Sequence, residues 1–345
     1  MTPIDRYSRA RRFSALGDAG QSSIEGSRVA VFGCGALGSM ISERLVRSGV
    51  GTVRIIDRDW VELSNLQRQT LFTESDAEAA EPKAIAAAAS LRHINSTITI
   101  EARVEDISYR NIAELAADVD LIMDGTDNFE TRFLINDFCL STGLPWIHGG
   151  VLGAAGQVMS IVPGKTACLR CLIPDIPSRE SMPTCDSAGV MAPAVGVIAS
   201  LQAAEALKIL SGRSDAICTD LMVIDTWHTT LRQISISSGP EDRAACPACG
   251  LKRFDFLTGS QHSATTILCG KNAVQIDPPA GAPPPNLNEL AARLRLLGPV
   301  QLNMFLLRLN MGEHRITLFR DGRAIIDGTT DPSAARSILT KGLGG

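Results

Sequence analysis

The sequence predicts an α/β fold: a doubly wound, Rossmann-like, mostly parallel sheet extended by antiparallel strands, with a small C-terminal α+β domain. Three observations carry this. Short apolar runs alternate with helix-length segments through the first 150 residues, the pattern of parallel strands joined by helical crossovers. A glycine-rich turn, Gly33 to Gly38, joins the first apolar run to the first such helix. Beyond Gly153 the apolar residues alternate singly, as in antiparallel strands.

Taken in order, Arg28–Gly35 is a short apolar run ending in glycines, hence a buried strand. Ala36–Ser48 is a helix that Gly49 closes, and Thr52–Asp57 is the next strand. Alanine-rich Lys83–Ile94 is a helix and Thr97–Val104 alternates as a strand. A helix around Asn111–Ala116 leads to strand Asp120–Asp127, helix Phe129–Thr142 and strand Pro145–Gly150. Residues 156–162 and 221–236 read as antiparallel strands, with a proline-punctuated loop, Pro174–Pro183, and a helix over Ala192–Leu210 between them. The chain divides into domains 1–255 and 256–345. In the second, residues 265–276 have a strand pattern and 277–285 form a proline-rich spacer. Asn286 caps a helix with Glu289 three residues on, and Leu287, Leu290, Leu294 and Leu297 form its apolar stripe. Residues 315–328 form a hairpin turning at Asp321-Gly322; Asp331-Pro332 opens a last helix that Gly342 should stop.

Lysine plus arginine number 33 and aspartate plus glutamate 37, a formal charge of −4. That is too mild for a nucleic-acid or membrane surface. The longest apolar run, residues 191–210, is interrupted by Gln202 and Glu205, and the N-terminus lacks the apolar core of a signal peptide. A cytoplasmic address is the expectation, with no nucleic acid and no membrane.

The glycine turn supplies Gly33, Gly35 and Gly38 between a strand and a helix, and Asp57 ends the next strand 19 residues later. Glycines let a backbone approach phosphate at a helix N-terminus, and an acid so placed accepts hydrogen bonds from ribose hydroxyls. The motif alone does not separate NAD from ATP. Downstream lie Asn65, Arg68 and Lys83, with Asp127-Asn128 at the end of a later strand. Arginine grips phosphate in a fork, lysine acts as a point charge, and a strand-end aspartate can hold Mg²⁺. Together they favour ATP; an NAD-dependent oxidoreductase is the rival.

Of nine cysteines, four form two C-x-x-C pairs, Cys168/Cys171 and Cys246/Cys249. Two such knuckles compose a four-thiolate tetrahedral Zn²⁺ site with no open position; a redox dithiol is the alternative. Cys34, Cys139, Cys218 and Cys269 lie in apolar contexts and read as packing residues. Cys185 lies in a polar, proline-rich loop before a helix, where a thiol is more reactive. It reads as a nucleophile, against a cysteine with no covalent function.

The order of "RYSRA", "GCGALG", "DRDWVELSNLQRQTLF", "EPK", "DGTDNFETR", "CLRC", "TCDSAGVMAPAVGVIASLQAAEALKIL" and "CPACG" over residues 5–250 resembles the ThiF/MoeB/HesA family, bacterial relatives of ubiquitin-activating enzymes, with MoeB nearest in pattern. The resemblance implies an adenylyltransferase. ATP would adenylate the C-terminal Gly-Gly carboxylate of a small β-grasp sulfur carrier protein of the MoaD or ThiS type. A separate sulfur donor would then form the thiocarboxylate. Carried over by position, Gly33, Gly35, Ala36 and Gly38 match the family's phosphate loop and Asp57 its ribose acid, with Asp59 in the same nucleotide-binding set. Ser64, Asn65 and Arg68 match phosphate contacts, Lys83 the lysine beside them, and Asp127 with Asn128 the metal-side pair. Arg9 matches an arginine that crosses to the partner's ATP in a homodimer, and the two cysteine pairs match the zinc ligands. Ala36 stands where many members have glycine, and Glu81 departs from the usual Gly-x-Pro-Lys approach to the lysine. Two variants remain: conjugation through a Cys185 thioester, and self-adenylation of the terminal Gly344-Gly345. A tRNA-modifying dehydratase sharing the ATP site is opposed by the four paired cysteines, by Cys185 and by the lack of a basic run.

Overall fold

The computed structural model describes residues 5–177, 188–236, 239, 241–260, the backbone of 265–268, 272–279 and 281–343. The chain forms two compact units that divide at 261/262. Residues 256–260 pack within the first: the Phe256 ring lies 5.0 Å from that of Phe133, and its N–H donates to Asp137 Oδ2 at 3.1 Å.

The first unit is built on an eight-stranded sheet: β1 (Arg28–Phe32), β2 (Thr52–Ile56), β3 (Thr99–Arg103), β4 (Leu121–Asp124), β5 (Trp146–Leu152), β6 (Ala155–Ile161), β7 (Leu221–Asp225) and β8 (Thr230–Ile234). Their order is β3-β2-β1-β4-β5-β6-β7-β8. Pairs among the first five are parallel and those from β5 to β8 antiparallel. The order reverses direction on either side of β1, so the ends of β1 and β4 open onto a crevice where such sheets bind ligands. Strand alternation assigns side chains to two cores. Val29 and Val31 face one that includes helices Ala36–Ser48, Lys83–Ile94 and Ala192–Leu210; Ala30 and Phe32 face the other, with helix Phe129–Thr142. These four helices coincide with the predicted spans. Gly49 ends the first at φ +85°, a left-handed conformation that glycine adopts without strain. Helix Ala192–Leu210 has the length and apolarity of a membrane span, yet it packs on the sheet. Its Gln202 and Glu205 are buried and bonded to Asp124 O, Ser160 Oγ and Cys218 N.

The second unit is a six-stranded antiparallel sheet, β11-β12-β13-β14-β10-β9, with helices Leu287–Leu294 and Pro332–Leu343. Here β9 is Thr265–Leu268, β10 Ala273–Ile276, β11 Val300–Leu302, β12 Leu306–Met311, β13 His314–Phe319 and β14 Ala324–Asp327. Several expectations change. The single strand pattern of 265–276 is a hairpin with Leu268 opposite Ala273, and Asn272 takes φ +40°, which asparagine tolerates in turns. Strands β11 and β12 were not foreseen. The Asn286 cap forms, its side chain accepting from the N–H groups of Asn288 and Glu289. The helix ends at Leu294, however, so Leu297 falls beyond the stripe and is 54% exposed. Gly342 does not stop the last helix, which runs to Leu343. A Cβ there would lie 2.4 Å from Ile316 Cδ1, so this glycine serves close helix–sheet approach.

Candidate active site

Three glycines interlock where β1 and β4 end. Gly33 takes φ +84°, and a Cβ on it would lie 2.7 Å from Gly125 O. A Cβ on Gly38 would lie 1.9 Å from Gly33 O, and one on Gly125 2.4 Å from the same oxygen. Gly35 differs: the nearest atom to its missing Cβ is Gln69 Nε2, 3.9 Å away. Gly33, Gly38 and Gly125 are therefore demanded by packing, whereas Gly35 leaves open space. Among the described residues no side chain caps the helix that Gly35 and Ala36 begin, and the N–H groups and positive dipole end of a helix start suit phosphate.

Beside this loop, Asp57 is buried and accepts from Cys34 N at 2.6 Å and Asp59 N at 2.7 Å. The acid predicted to read a ribose thus clamps the glycine loop to β2. Burial pushes its carboxyl upward, against the pull of Lys83. The chain then pairs with the approach to the next helix: Val61 N donates to Glu81 O and Lys83 N to Asp59 O. Buried Lys83 Nζ lies 3.3 Å from Asp59 Oδ2. Burial opposes its charge, but Asp59, Asp57 and Asp127 prevail and hold its pKa above the usual lysine value. Arg58 is fixed by both oxygens of Asp106, at 3.0 and 2.9 Å.

Residues Val61–Phe72, unassignable by periodicity, contain a 3₁₀ turn, Leu63–Asn65, where buried Asn65 Oδ1 accepts from Glu62 N at 3.2 Å. Ser64 is exposed, and its carbonyl accepts from half-buried Arg68 Nη1 at 2.9 Å. Gln69, one residue further, is buried beside Gly35, and its Oε1 has no hydrogen-bond partner among the described residues.

At the end of β4, fully buried Asp124 gathers Arg132 Nε at 3.1 Å and His148 Nδ1 at 2.8 Å on Oδ2, with Thr126 N and Oγ1 on Oδ1. Burial opposes the charge, yet Arg132 and His148 hold its carboxyl below the usual range. His148 is held below the usual histidine value by burial, so it is neutral and donates from Nδ1. Asp127 is exposed, and among the described residues no hydrogen bond or ion pair engages its carboxylate; Lys83 and Arg58 feel its charge. A free hard-oxygen ligand at a strand end fits Mg²⁺, which takes one or two carboxylates beside substrate phosphates. Asn128 Oδ1 is committed to capping the next helix through Thr131 N at 2.8 Å.

Gly125, Asp124, Arg132, His148 and Gln69 were not singled out from sequence. Three of them lie inside "DGTDNFETR", and a histidine followed by Gly149-Gly150 at the end of an apolar run was a further signal. Arg9 is exposed and stands apart. Its neighbour Tyr7 packs on Gly49, the far end of helix Ala36–Ser48 from the phosphate loop, roughly 20 Å along the axis. Cys185 and Gly344-Gly345 lie outside the described residues, as does Cys269. Cys34 and Cys139 are fully buried, and burial raises both thiols, as expected of packing residues; Cys218 is half-buried.

The four paired cysteines converge, every sulfur within 4.8 Å of the others. Three of the separations are 3.8, 3.6 and 3.4 Å, for Cys168–Cys171, Cys168–Cys246 and Cys171–Cys249. Tetrahedral zinc with bonds of ≈ 2.3 Å sets its sulfurs about 3.8 Å apart, so the donor set fits Zn²⁺. The knuckle is tied to helix Phe129–Thr142, because Asn136 Oδ1 accepts from Leu169 N at 2.9 Å. Arg170 also lies over the rings of Phe133 and Phe256, each centroid 5.9 Å away.

A model of the ThiF family matches residues 7–248. The sulfur carrier protein ThiS adenylyltransferase of Bacillus subtilis is 41% identical over 341 residues, 98% of this chain and 99% of that protein. The SAMP-activating enzyme E1 of Haloferax volcanii is 36% identical, over 72% of this chain and 90% of its own. The sulfur carrier protein adenylyltransferase of Thermus thermophilus is 35% identical, over 72% and 91%. Among solved structures, E. coli MccB with ATP superposes with a TM-score of 0.61 at 25% identity, over 71% of this chain and 74% of that one.

Proposed function

The chain belongs to the ThiF family, and on that premise we propose that it is the adenylyltransferase for a small ubiquitin-like sulfur carrier protein. It joins the carrier's C-terminal Gly-Gly carboxylate to the AMP moiety of ATP and releases pyrophosphate. The carrying observation is the convergence of open Gly35, buried Lys83 and unengaged Asp127 at the carboxyl edge of one sheet. Hydride transfer to NAD has no use for such a set, whereas charge building on a phosphate needs it.

The reaction requires no general base, because the attacking carboxylate is already ionised. It attacks the α-phosphorus while the bond to the pyrophosphate oxygen breaks. The protein therefore acts by placement and charge neutralisation. Loop N–H groups from Gly35 onward cradle phosphate, Asp57 stiffens that loop and receives the ribose, and Ser64, Asn65 and Arg68 flank the phosphates. Lys83 is held charged by Asp59 and can share that charge with phosphate oxygens. Asp127 would hold Mg²⁺, with Asn128 beside it; the ion supplies neutralisation of phosphate charge. Zn²⁺ on Cys168, Cys171, Cys246 and Cys249 would have a structural role, since four thiolates leave no open position.

The Bacillus relative spans both units, whereas the Haloferax and Thermus relatives match about the length of the first. That coverage favours a ThiS-type carrier. Because Arg9 is remote from the site of its own chain, its role belongs to a homodimer in which it reaches the partner's nucleotide. A separate sulfur donor and a cytoplasmic location complete this reading. The test is pyrophosphate exchange into ATP, measured with and without a Gly-Gly-ended carrier. Carrier-dependent exchange is expected, along with thermal stabilisation by ATP and none by NAD; the opposite nucleotide response rejects the reading.

A further inference from the structure

We propose that buried Asp124 and His148, with partly buried Arg132, form a positioning device that aims Asp127 at the nucleotide-bound divalent cation. The inference rests on the adenylation reading above. Both neighbours of Asp127 are immobilised, while no hydrogen bond or ion pair among the described residues engages its own carboxylate. On one side, Thr126 donates its N–H at 2.9 Å and its hydroxyl at 2.7 Å to Asp124 Oδ1, and its carbonyl accepts from Arg132 Nη2 at 2.6 Å. On the other, Asn128 caps helix Phe129–Thr142. The turn carrying Asp127 is thus fastened three ways, and the one side chain left exposed between the fastenings is the metal-side acid.

The device is braced from β5, β6 and helix Ala192–Leu210. Arg132 Nη2 also reaches Gly149 O at 3.3 Å, and His148 Nε2 lies 3.3 Å from Gln157 Nε2, from which it accepts. Gln202 Nε2 donates to Asp124 O at 2.9 Å. Gly149 has room for Gln202 only because it lacks a Cβ, which would lie 2.3 Å from Gln202 Cδ. Asp124, His148 and Gln202 are each 0% exposed. A buried ion pair is a poor way to gain stability, since apolar packing of equal volume serves as well or better. Its advantage is direction: the arginine fork fixes several acceptors at once, and lysine cannot reproduce that.

The probe is Mn²⁺, titrated into protein saturated with ATP and followed by electron paramagnetic resonance. Arg132→Lys keeps the charge and loses the fork. It should weaken Mn²⁺ binding by about 10–100-fold, the range for residues that orient a metal ligand. ATP affinity without divalent metal should stay within about twofold, because the fork bonds Asp124 and the carbonyls of Thr126 and Gly149 and donates to no residue of the glycine loop. An Arg132→Lys protein that binds Mn²⁺ as tightly as the parent overturns the proposal. So does one whose metal-free ATP affinity falls equally, since that marks a merely structural role. Should Arg132→Lys fail to fold, Thr126→Ala removes only the hydroxyl on Asp124; an unchanged Mn²⁺ affinity there is equally fatal. A parent protein without carrier-dependent exchange defeats the functional reading, and this inference with it. A parent that exchanges normally, with variants that match it in Mn²⁺ binding, defeats the inference alone.

Discussion

The two units bury charge in different ways. In the first, three of the buried charged residues share one sheet edge beside interlocked glycines: Asp57, Lys83 and Asp124 lie around the ends of β1, β2 and β4. In the second, Arg308, Thr317, Ile325 and Gln275 are consecutive partners across β12, β13, β14 and β10, a row through the middle of the sheet. All four are buried. They lie on the face opposite Leu307, Leu309, Ile316, Leu318 and Val274, which pack with the helices. Burial of charge is therefore not by itself the mark of a reaction site. The first unit adds, at that one edge, glycines interlocked backbone to backbone, a helix start without a side-chain cap among the described residues, and one acid that none of them engages while its neighbours are fastened. Strand ends can present such features to a ligand; the middle of a sheet cannot.

The strongest test of that contrast is loss of charge on each side. Arg68→Ala and Asp127→Ala should each lower carrier-dependent pyrophosphate exchange by about 10²–10³-fold or more, with the thermal midpoint little changed. Arg308→Met should leave exchange intact. Full residual exchange in either of the first two would remove the site from where we place it.

Glycines sharpen the comparison next. Gly38→Ala forces a Cβ against Gly33 O and should cost about 3 kcal/mol of stability in urea unfolding. Gly35→Ala meets open space, so it should fold normally and raise the KM for ATP instead. If both variants behaved alike, packing and phosphate-contacting glycines would not be distinct. Metal removal comes third. A thiol-specific reagent should release one zinc per chain and lower the thermal midpoint, because the knuckle anchors the end of the first unit to helix Phe129–Thr142. Retained stability with no zinc released would make the four cysteines mere neighbours.

The smallest effect concerns Asp137, whose carboxyl is pushed to about 6 by burial, with Phe256 N–H and Arg170 opposing. A folded-state value above the unfolded one means that ionisation costs native stability. The cost is absent below about pH 4, grows toward pH 6 and is complete above it. Asp137→Asn should therefore raise the thermal midpoint at pH 8, and the advantage should vanish on acidification. A pH-independent difference would show that Asp137 is not the group responsible.

Legibility followed the same division between units. Parallel strands buried on both faces are near-continuous apolar runs, so β1, β2 and β4 and their helices were visible, the first helix with its closing Gly49. Strand β12 was not, because Arg308 and Asn310 interrupt its apolar residues, and only pairing with β13 explains them. Gly342 shows the limit of local rules: a glycine near a helix end suggests a stop, yet here it makes room for Ile316.

Local chemistry along the chain was sufficient to establish the alternation of strand and helix, the glycine-rich turn, the strand-end acids and the two cysteine pairs, because each is encoded within a few residues. Tertiary structure alone decided which groups meet. Asp57 clamps Cys34 N, Gly125 closes on Gly33, Lys83 pairs with Asp59, and Asp124 gathers Arg132 and His148. Those partners lie from 8 to 92 residues apart in the chain. Most are brought together by crossover connections and by strand register, and neither leaves a periodic trace in the sequence.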